Sequence, residues 1–160
     1  MTHAPASLSM TLRSQDVDAS AYRIHRLRAH EQMSTPYRVE LELVAAADAP
    51  DLEGAYLTVD IAVEGKIVRH FSGLAADVTR QHRSANKLCA YQVTLVPTLW
   101  LGTLVDTLDI HLNTNVAAIL EGKLGRLYTE ADATFSLELM HDYPAREMVV
   151  QYRETDLDFV

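Results

Sequence analysis

The stretch YRVELELV, residues 37–44, decides the fold class because apolar and polar residues alternate along it without interruption. Its apolar side carries Tyr37, Val39, Leu41 and Leu43, and its polar side carries Arg38, Glu40 and Glu42. A period of two residues is typical of a strand that buries one face and leaves the other in water. The stretch therefore predicts a half-buried β-strand.

Other stretches around it are also predicted to be strands. They are LSMTL (8–12), AYRIHRLRAH (21–30), YLTVDIAV (56–63), IVRHFSGLAADVT (67–79) and LCAYQVTLVP (88–97). The short link Glu64-Gly65-Lys66 predicts a hairpin, and RQHRSANK predicts a second turn. Gly73 is predicted to mark a bulge or bend, since glycine weakens a regular strand. Successive hairpins indicate a meander or barrel rather than alternating strand and helix units.

The pattern changes after Pro97, where TLWLGTLVDTLDIHL (98–112) fits neither period and predicts mixed strand and short helix. Asn115 is a predicted N-cap of a helix of about three turns that ends at Gly125. We expect two more strands, TFSLELM (134–140) and EMVVQY (147–152).

The last residues have the pattern of a helix start. Thr155 and Asp158 match the [ST]-x-x-[DE] capping pattern, and Leu157, Phe159 and Val160 would form the apolar side of the helix. A helix of one turn is marginal in water. We therefore expect the natural chain to continue beyond this helix.

The composition is typical of a globular domain with a packed core. The 160 residues are 48% hydrophobic and 22% charged, and the formal charge is -8. The excess of acidic over basic residues disfavours nucleic acid as a partner. Cys89 is the only cysteine, which excludes an internal disulfide. The first ten residues lack the features of a secretion signal, and no apolar run has a membrane span's length.

Residue patterns of known active sites are missing from the sequence. Ser72 lacks a nucleophile-elbow context, and glycine-rich phosphate loops do not occur. Asp16 with Asp18, and Asp106 with Asp109, are carboxylate pairs in turn-like contexts, where aspartate commonly binds local backbone. The histidines lack metal-binding spacing and are predicted at the surface: His3, His25, His30, His70, His82, His111 and His141. The sequence predicts no catalytic, cofactor-binding or metal-binding residue and no cofactor.

Trp100 offers an alternative interpretation. An aromatic residue within an aliphatic run is usually part of the core, but Trp100 could instead serve a small carbohydrate-binding or enzyme domain. The core interpretation predicts that Trp100 is buried, and the alternative predicts that it lines an open cleft.

Three stretches, together with residues 37–44, carry a resemblance to a known family: FSGLAADVTR (71–80), YQVTLVPTLWLGTL (91–104) and VVQYRETDLDFV (149–160). They resemble the N-terminal part of VgrG, the spike protein of bacterial type VI secretion systems, which is similar to contractile-phage baseplate hubs. The residues that match its pattern are Phe71, Gly73, Tyr91, Thr94, Leu95, Pro97, Leu99, Trp100, Leu101, Leu104, Gln151, Tyr152, Glu154, Thr155, Asp156 and Phe159.

The resemblance implies a mainly β fold with a few short helices (α+β). It implies a first barrel-like hub domain over residues 1–104, and over residues 105–160 the helix and strands that begin a second hub domain, truncated at its C-terminus, so that the second barrel is incomplete. The family continues with further domains and a needle that this sequence does not contain.

The resemblance also implies a structural role without enzymatic activity. In the family a homotrimer docks on the hexameric Hcp tube, contacts baseplate proteins and carries the needle with effector or tip proteins. It is cytoplasmic before firing and is then secreted by the apparatus without a signal peptide. A phage or prophage tail hub is the related alternative.

Overall fold

The computed structural model of the chain describes residues 7–46, 49–83, 88–130 and 134–160. The chain divides into two compact units, Met1–Pro97 and Thr98–Val160. The sequence-based boundary after Leu104 lies inside the second unit, because the 3-10 helix Thr98–Thr103 packs with the helices of that unit.

The first unit is a six-stranded antiparallel sheet. Its strands are β1 (Leu8–Ser14), β2 (Arg23–Gln32), β3 (Thr35–Ala46), β4 (Tyr56–Val63), β5 (Lys66–Arg83) and β6 (Leu88–Val96). The spatial order is β1-β4-β5-β6-β3-β2, and the sheet curls until it is nearly closed. The prediction of a mainly β, barrel-like fold is confirmed.

The core of the first unit lies inside the curled sheet. Val39, Leu41 and Leu43 of β3 are at most 1% exposed, which confirms the face predicted from the alternation. Val93 lies opposite Leu41, and Leu95 lies opposite Val39. Burial of each aliphatic side chain contributes about 1.5–3 kcal/mol, so these cross-strand pairs hold the two strands together.

Gly65 and Gly73 of the first unit are needed for different structural reasons. Gly65 and the preceding Glu64 both have positive φ, as a tight hairpin turn requires, so the predicted hairpin is confirmed. The predicted bulge at Gly73 is wrong, because the register shifts of β5 lie between Ile67 and Arg69, between Ala75 and Asp77, and between Arg80 and His82. A Cβ at Gly73 would lie 2.0 Å from the carbonyl oxygen of Val96, so this glycine permits a close backbone approach.

The second unit combines a two-stranded ribbon with short helices. It contains β7 (Asp106–Thr114), α1 (Val116–Glu130), β8 (Arg146–Thr155) and α2 (Asp156–Phe159), with β7 and β8 antiparallel. The Asn115 side chain accepts a hydrogen bond from the amide of Ala118 at 2.8 Å, which confirms the predicted N-cap.

Two predictions for the second unit are wrong. The helix does not end at Gly125 but continues to Glu130. Leu127, in the last turn, still packs against the 3-10 helix, because its side chain lies 3.3 Å from the position that a Cβ on Gly102 would take. Residues 134–140 form no strand, since in the part of the chain that the structure describes β7 and β8 pair only with each other.

In the first unit, the predicted turn at 80–87 is strand as far as Arg83, and the remainder falls outside the described residues. Among the described residues, no helix has the length and hydropathy to cross a membrane.

Candidate functional site

The segment 151–156 joins the last strand to the last helix. Thr155 begins α2: its hydroxyl accepts from the amide of Asp158 at 3.1 Å and donates to the carboxylate of Asp158 at 2.6 Å. This arrangement confirms the helix start predicted from the sequence. It also fixes the next side chain, Asp156, so that it points into the second unit, where it is 8% exposed.

Asp156 is the centre of a buried polar network. Its Oδ1 accepts from Lys123 Nζ at 3.0 Å and from Gln151 Nε2 at 3.0 Å. Thr107 Oγ1 donates to the same oxygen at 3.2 Å. Arg126 Nη2 donates to Oδ2 at 3.3 Å. Because these donors come from α1, β7 and β8, one carboxylate ties three elements to α2.

Lys123 is 3% exposed and lies between two carboxylates. Its ammonium is 3.0 Å from Asp156 and 3.2 Å from Asp109. The Lys123 hydrogen bond is the main reason that the pKa of Asp109 lies below its usual value. For Asp156, burial raises the pKa, but hydrogen bonds from Lys123 and Gln151 outweigh burial and hold the pKa below the ordinary value.

Two buried polar atoms beside this network have no hydrogen-bond partner among the described residues: His111 Nε2 and Gln151 Oε1. The His111 ring stacks on Phe159 with ring centroids 5.8 Å apart, and its Nε2 is 3.7 Å from Asp109. No group of metal-ligating side chains is found within the described ranges. With Lys123 between both carboxylates, the network is built to hold α2 in place.

The side of the β7–β8 ribbon that points away from the Asp156 network is apolar and exposed. Side chains there alternate with the buried network and pair across the strands in register: Leu108 with Tyr152, Ile110 with Val150, and Leu112 with Met148. These six residues, which we name the apolar ribbon face, are 41–65% exposed. A contiguous exposed apolar surface of this kind marks an interaction site.

Comparison with known proteins identifies the family. The model of the phage tail baseplate hub (GPD) family matches residues 30–160, which include β3 to β6 of the first unit and the whole of the second unit. The chain belongs to the phage tail baseplate hub family. The matched range contains the Asp156 network and the apolar ribbon face.

Relatives of this hub-family chain include type VI secretion spike proteins. Spike protein VgrG1c of Pseudomonas aeruginosa is 33% identical over 141 residues, which are 86% of this chain and 19% of the relative. Spike protein VgrG4b of the same organism is 35% identical over 136 residues, 82% of this chain and 16% of the relative. The chain thus spans less than a fifth of the length of these relatives.

Solved structures share the hub fold. The E. coli c3393 protein, described as a component of the type VI secretion system, has a TM-score of 0.64 and 24% identity, covering 86% of this chain and 40% of that chain. The 43 kDa tail protein of prophage MuSo2 from Shewanella oneidensis has a TM-score of 0.61 and 16% identity, covering 96% and 46%.

The histidines of the hub chain largely follow the sequence prediction. His25, His30, His70 and His141 are exposed, as predicted. His111 is partly buried in the network, which the sequence did not predict. His3 and the side chain of His82 lie outside the described residues.

The carboxylate pairs follow the sequence prediction only in part. Asp18 accepts from the amide of Ser20, which is the local backbone bond that was expected. Asp16 instead accepts from the amide of Tyr56, 40 positions away at the start of β4, so for Asp16 the prediction of a local bond is wrong. For Asp109 the prediction of a turn is wrong, because it lies in β7 beside buried Lys123.

Two other candidates, Trp100 and Ser72, form no hydrogen bond with the described residues of the network. Trp100 lies in the 3-10 helix and is half-buried, so it is neither a fully buried core residue nor an open platform. Ser72 is exposed, and its hydroxyl is 2.9 Å from that of Thr58, so the contact joins two hydroxyl groups without a base. Among the described residues, the Ser72 hydroxyl therefore has no base that would activate it as a nucleophile.

The network makes the second unit sensitive to acid. Asp109 and Asp156 have pKa values below the ordinary 3.8, so they bind protons more weakly in the folded chain than in the unfolded chain. Their stabilisation is therefore present above pH of about 4 and is lost as the pH falls through the lower folded values. We expect the urea midpoint followed by Trp100 fluorescence to fall below that pH. A midpoint that stays constant on acidification would contradict this prediction.

Proposed function

We propose that this chain is a structural component of the type VI secretion puncturing device: the N-terminal hub of a trimeric spike that docks on the hexameric Hcp tube and carries the needle and effectors. The match of the hub family over residues 30–160 is the observation that carries the proposal. Relatives named as spike proteins support the secretion system as the setting. The chain acts in the cytoplasm before firing and leaves through the apparatus itself.

The domain organisation is part of the proposal. The first barrel-like hub domain, assigned from the sequence to residues 1–104, corresponds to the compact unit that ends at Pro97, and the chain from Thr98 begins the second, which the sequence assigned to residues 105–160. The apolar ribbon face supports this division, because a two-stranded sheet with an exposed apolar side needs more strands or a packing partner for stability. In the assembled spike, further hub polypeptide covers that face. With two related hub domains per chain, a trimer presents six similar surfaces, so a threefold assembly can dock on a sixfold tube.

A role without catalysis fits the polar network. The carboxylates of Asp109 and Asp156 are both engaged by the Lys123 ammonium, so neither is free to exchange protons with a substrate. The relatives with printed roles are spike and tail proteins. The chain therefore works through its interfaces with other copies, the tube, baseplate proteins and effector or tip proteins, and uses no cofactor.

The decisive experiment places this chain in a full-length spike. The region of VgrG1c that matches this chain is replaced by the chain, and the chimera is measured by light scattering and by binding to hexameric tube rings. We expect a trimer that binds the rings. A well-folded chimera that stays monomeric and has no affinity for the rings overturns the proposal.

Variants of the chimera test the apolar ribbon face. Ile110→Asp and Val150→Asp place charges on this face, and we expect each to prevent assembly or to leave the second hub domain unfolded, because a charge cannot be buried unpaired at low cost. Ile67→Asp is the matched control, since Ile67 has the same 56–57% exposure as Ile110 but lies in the first unit. Equal assembly of all three variants contradicts the covered-face interpretation.

A phage or prophage tail hub is the second candidate. The likeness to the prophage MuSo2 tail protein favours it. Neighbouring genes distinguish the two: sheath and effector genes support a secretion spike, and capsid and lysis genes support a tail. Selective binding of the chimera to phage tail-tube rings would also favour the tail.

A further inference from the structure

The last strand of the second unit contains a bulge of one residue. Leu108 of β7 lies opposite Tyr152 of β8. The next pair along the ribbon is Thr107 with Glu154, so Arg153 has no residue opposite it. A bulge inserts one unpaired residue into one strand of a pair. The side chains that follow Arg153 therefore point to the opposite side of the ribbon from the side that a regular strand would give them.

This bulge decides which side chains meet in the buried network. Gln151 lies in β8, and Asp156 directly follows the strand, five positions later. In a regular strand, residues an odd number of positions apart point to opposite sides. Because Arg153 adds one residue between them, both side chains can lie on one side, where Gln151 Nε2 donates to Asp156 Oδ1 at 3.0 Å.

Strand β8 also contributes to the apolar ribbon face. Before the bulge, alternate residues as far as Tyr152 point to that face. After the bulge, Glu154 lies opposite Thr107, whose hydroxyl donates to Asp156 on the network side. One strand thus supplies the apolar ribbon face and then changes side, so that α2 starts with its first carboxylate facing inward.

Two hydrogen bonds hold the bulge in shape. Gln151 Nε2 donates to the carbonyl oxygen of Glu154 at 3.0 Å, so its side chain spans Arg153. The amide of Tyr152 donates to the carboxylate of Glu154 at 3.3 Å. Both contacts engage backbone groups next to the unpaired residue, which regular strand pairing no longer serves.

Arg153 adopts the unusual backbone conformation of the bulge. Its φ is 49°, in the left-handed region, which glycine enters freely and residues with a Cβ avoid. Its side chain is exposed, with the guanidinium carbon 5.6 Å from the centre of the Tyr152 ring. A strained backbone conformation persists only where the surrounding structure imposes it. The buried network is the part of the surroundings that depends on the bulge.

We propose that Arg153 is a positioning residue, whose left-handed bulge turns Asp156 to the side of the ribbon on which the Lys123 ammonium lies. Regular pairing without the extra residue would turn Asp156 outward. The buried ammonium would then keep only Asp109 as its counter-charge. The inference concerns the folded chain itself and does not rest on the proposed spike function.

The first test compares two substitutions at the same position by urea unfolding, followed by the fluorescence of Trp100. Glycine tolerates a left-handed backbone, whereas a β-branched residue is a severe outlier there. We expect Arg153→Gly to raise the urea midpoint by about 0.3 M and Arg153→Val to lower it by about 0.5 M. This order identifies the backbone conformation, and not the guanidinium, as what the position requires.

The second test asks whether the bulge acts through Asp156. Arg153→Val is repeated in the Asp156→Ala variant, where the strand can relax to regular pairing because the network carboxylate is gone. We expect the loss in midpoint to shrink by at least about half. Asn113→Val is the matched control, since Asn113 also has a left-handed φ, 51°, but lies near the end of β7 away from Thr107. Its loss should be equal in both backgrounds.

Two results would overturn the inference. An equal fall of the midpoint in Arg153→Gly and Arg153→Val would mean that the side chain matters and the left-handed backbone does not. An unchanged loss for Arg153→Val in the Asp156→Ala background would mean that the bulge does not act through Asp156. If that background does not fold, as circular dichroism would reveal, the comparison at position 153 alone decides. Both tests use the chain by itself, so their failure leaves the chimera experiment unaffected.

Discussion

Asp156→Ala should lower the stability of the second unit by about 3 kcal/mol, the lower end of the cost of breaking a buried ion pair. Removing the carboxylate leaves the Lys123 ammonium, only 3% exposed, with Asp109 as its remaining counter-charge. Gln151 loses its carboxylate acceptor as well. The measurement is urea unfolding followed by the fluorescence of Trp100, the single tryptophan, which lies in the second unit.

Control variants separate the charge from the packing. Asp158→Ala removes a neighbouring carboxylate that contacts only the cap, so it should cost about 1 kcal/mol. Lys123→Met combined with Asp156→Leu should cost less than the sum of the single changes, because both charges leave the interior together. If Asp156→Ala and Asp158→Ala destabilise equally, Asp156 is not the centre of the network.

The strands of the first unit could be predicted because their alternation is also their burial pattern. Val39, Leu41 and Leu43 alternate in the sequence, and their side is the buried side. The longer stretch 98–112 fits neither period, but residues 107–112 within it alternate, and there the apolar side is the exposed one: Leu108 and Ile110 are exposed, while Asp109 faces buried Lys123. A period of two residues does not state which side is buried. The surroundings of the ribbon decide this, and one sequence does not contain them.

The Asp156 network could be predicted from the sequence only in part. The family signature includes Gln151, Thr155 and Asp156, and the capping pattern located the start of α2. Lys123 lies 33 positions from Asp156 in the chain, and its helical stretch gave no sign of a buried cation. Pairs of this kind depend on tertiary packing. Local patterns place each residue on an element but do not bring the two elements together.

Gly73 is a single residue whose structural role could not be decided from the sequence. A glycine within a strand is compatible with either a bulge or a close backbone approach, and the sequence does not distinguish these alternatives. The structure places no register shift at Gly73, since the nearest one in β5 follows Ala75, and at Gly73 it brings the carbonyl of Val96 into the space of a side chain. The two alternatives predict different outcomes for a substitution by alanine.

Gly73→Ala should destabilise the first unit by about 3 kcal/mol, the upper end of the range for overpacking. The new methyl group would lie 2.0 Å from the carbonyl oxygen of Val96 and 3.2 Å from the nitrogen of Pro97, and both are backbone atoms that cannot rotate away. Pairing of β5 with β6 begins next to this contact, where Leu74 lies opposite Val96, so relief requires the strands to separate there. The measurement is urea unfolding followed by far-ultraviolet circular dichroism.

Gly54→Ala is the matched control for this substitution. Gly54 has φ of +74°, and a Cβ added there would meet no atom within 4 Å beyond its chain neighbours, so alanine adds backbone strain without a clash. The expected cost is about 1 kcal/mol, that of a left-handed residue with a side chain. A larger loss at Gly73 than at Gly54 is the signature of steric exclusion. If the two substitutions cost the same, the close approach of β5 and β6 is not what requires glycine at this position.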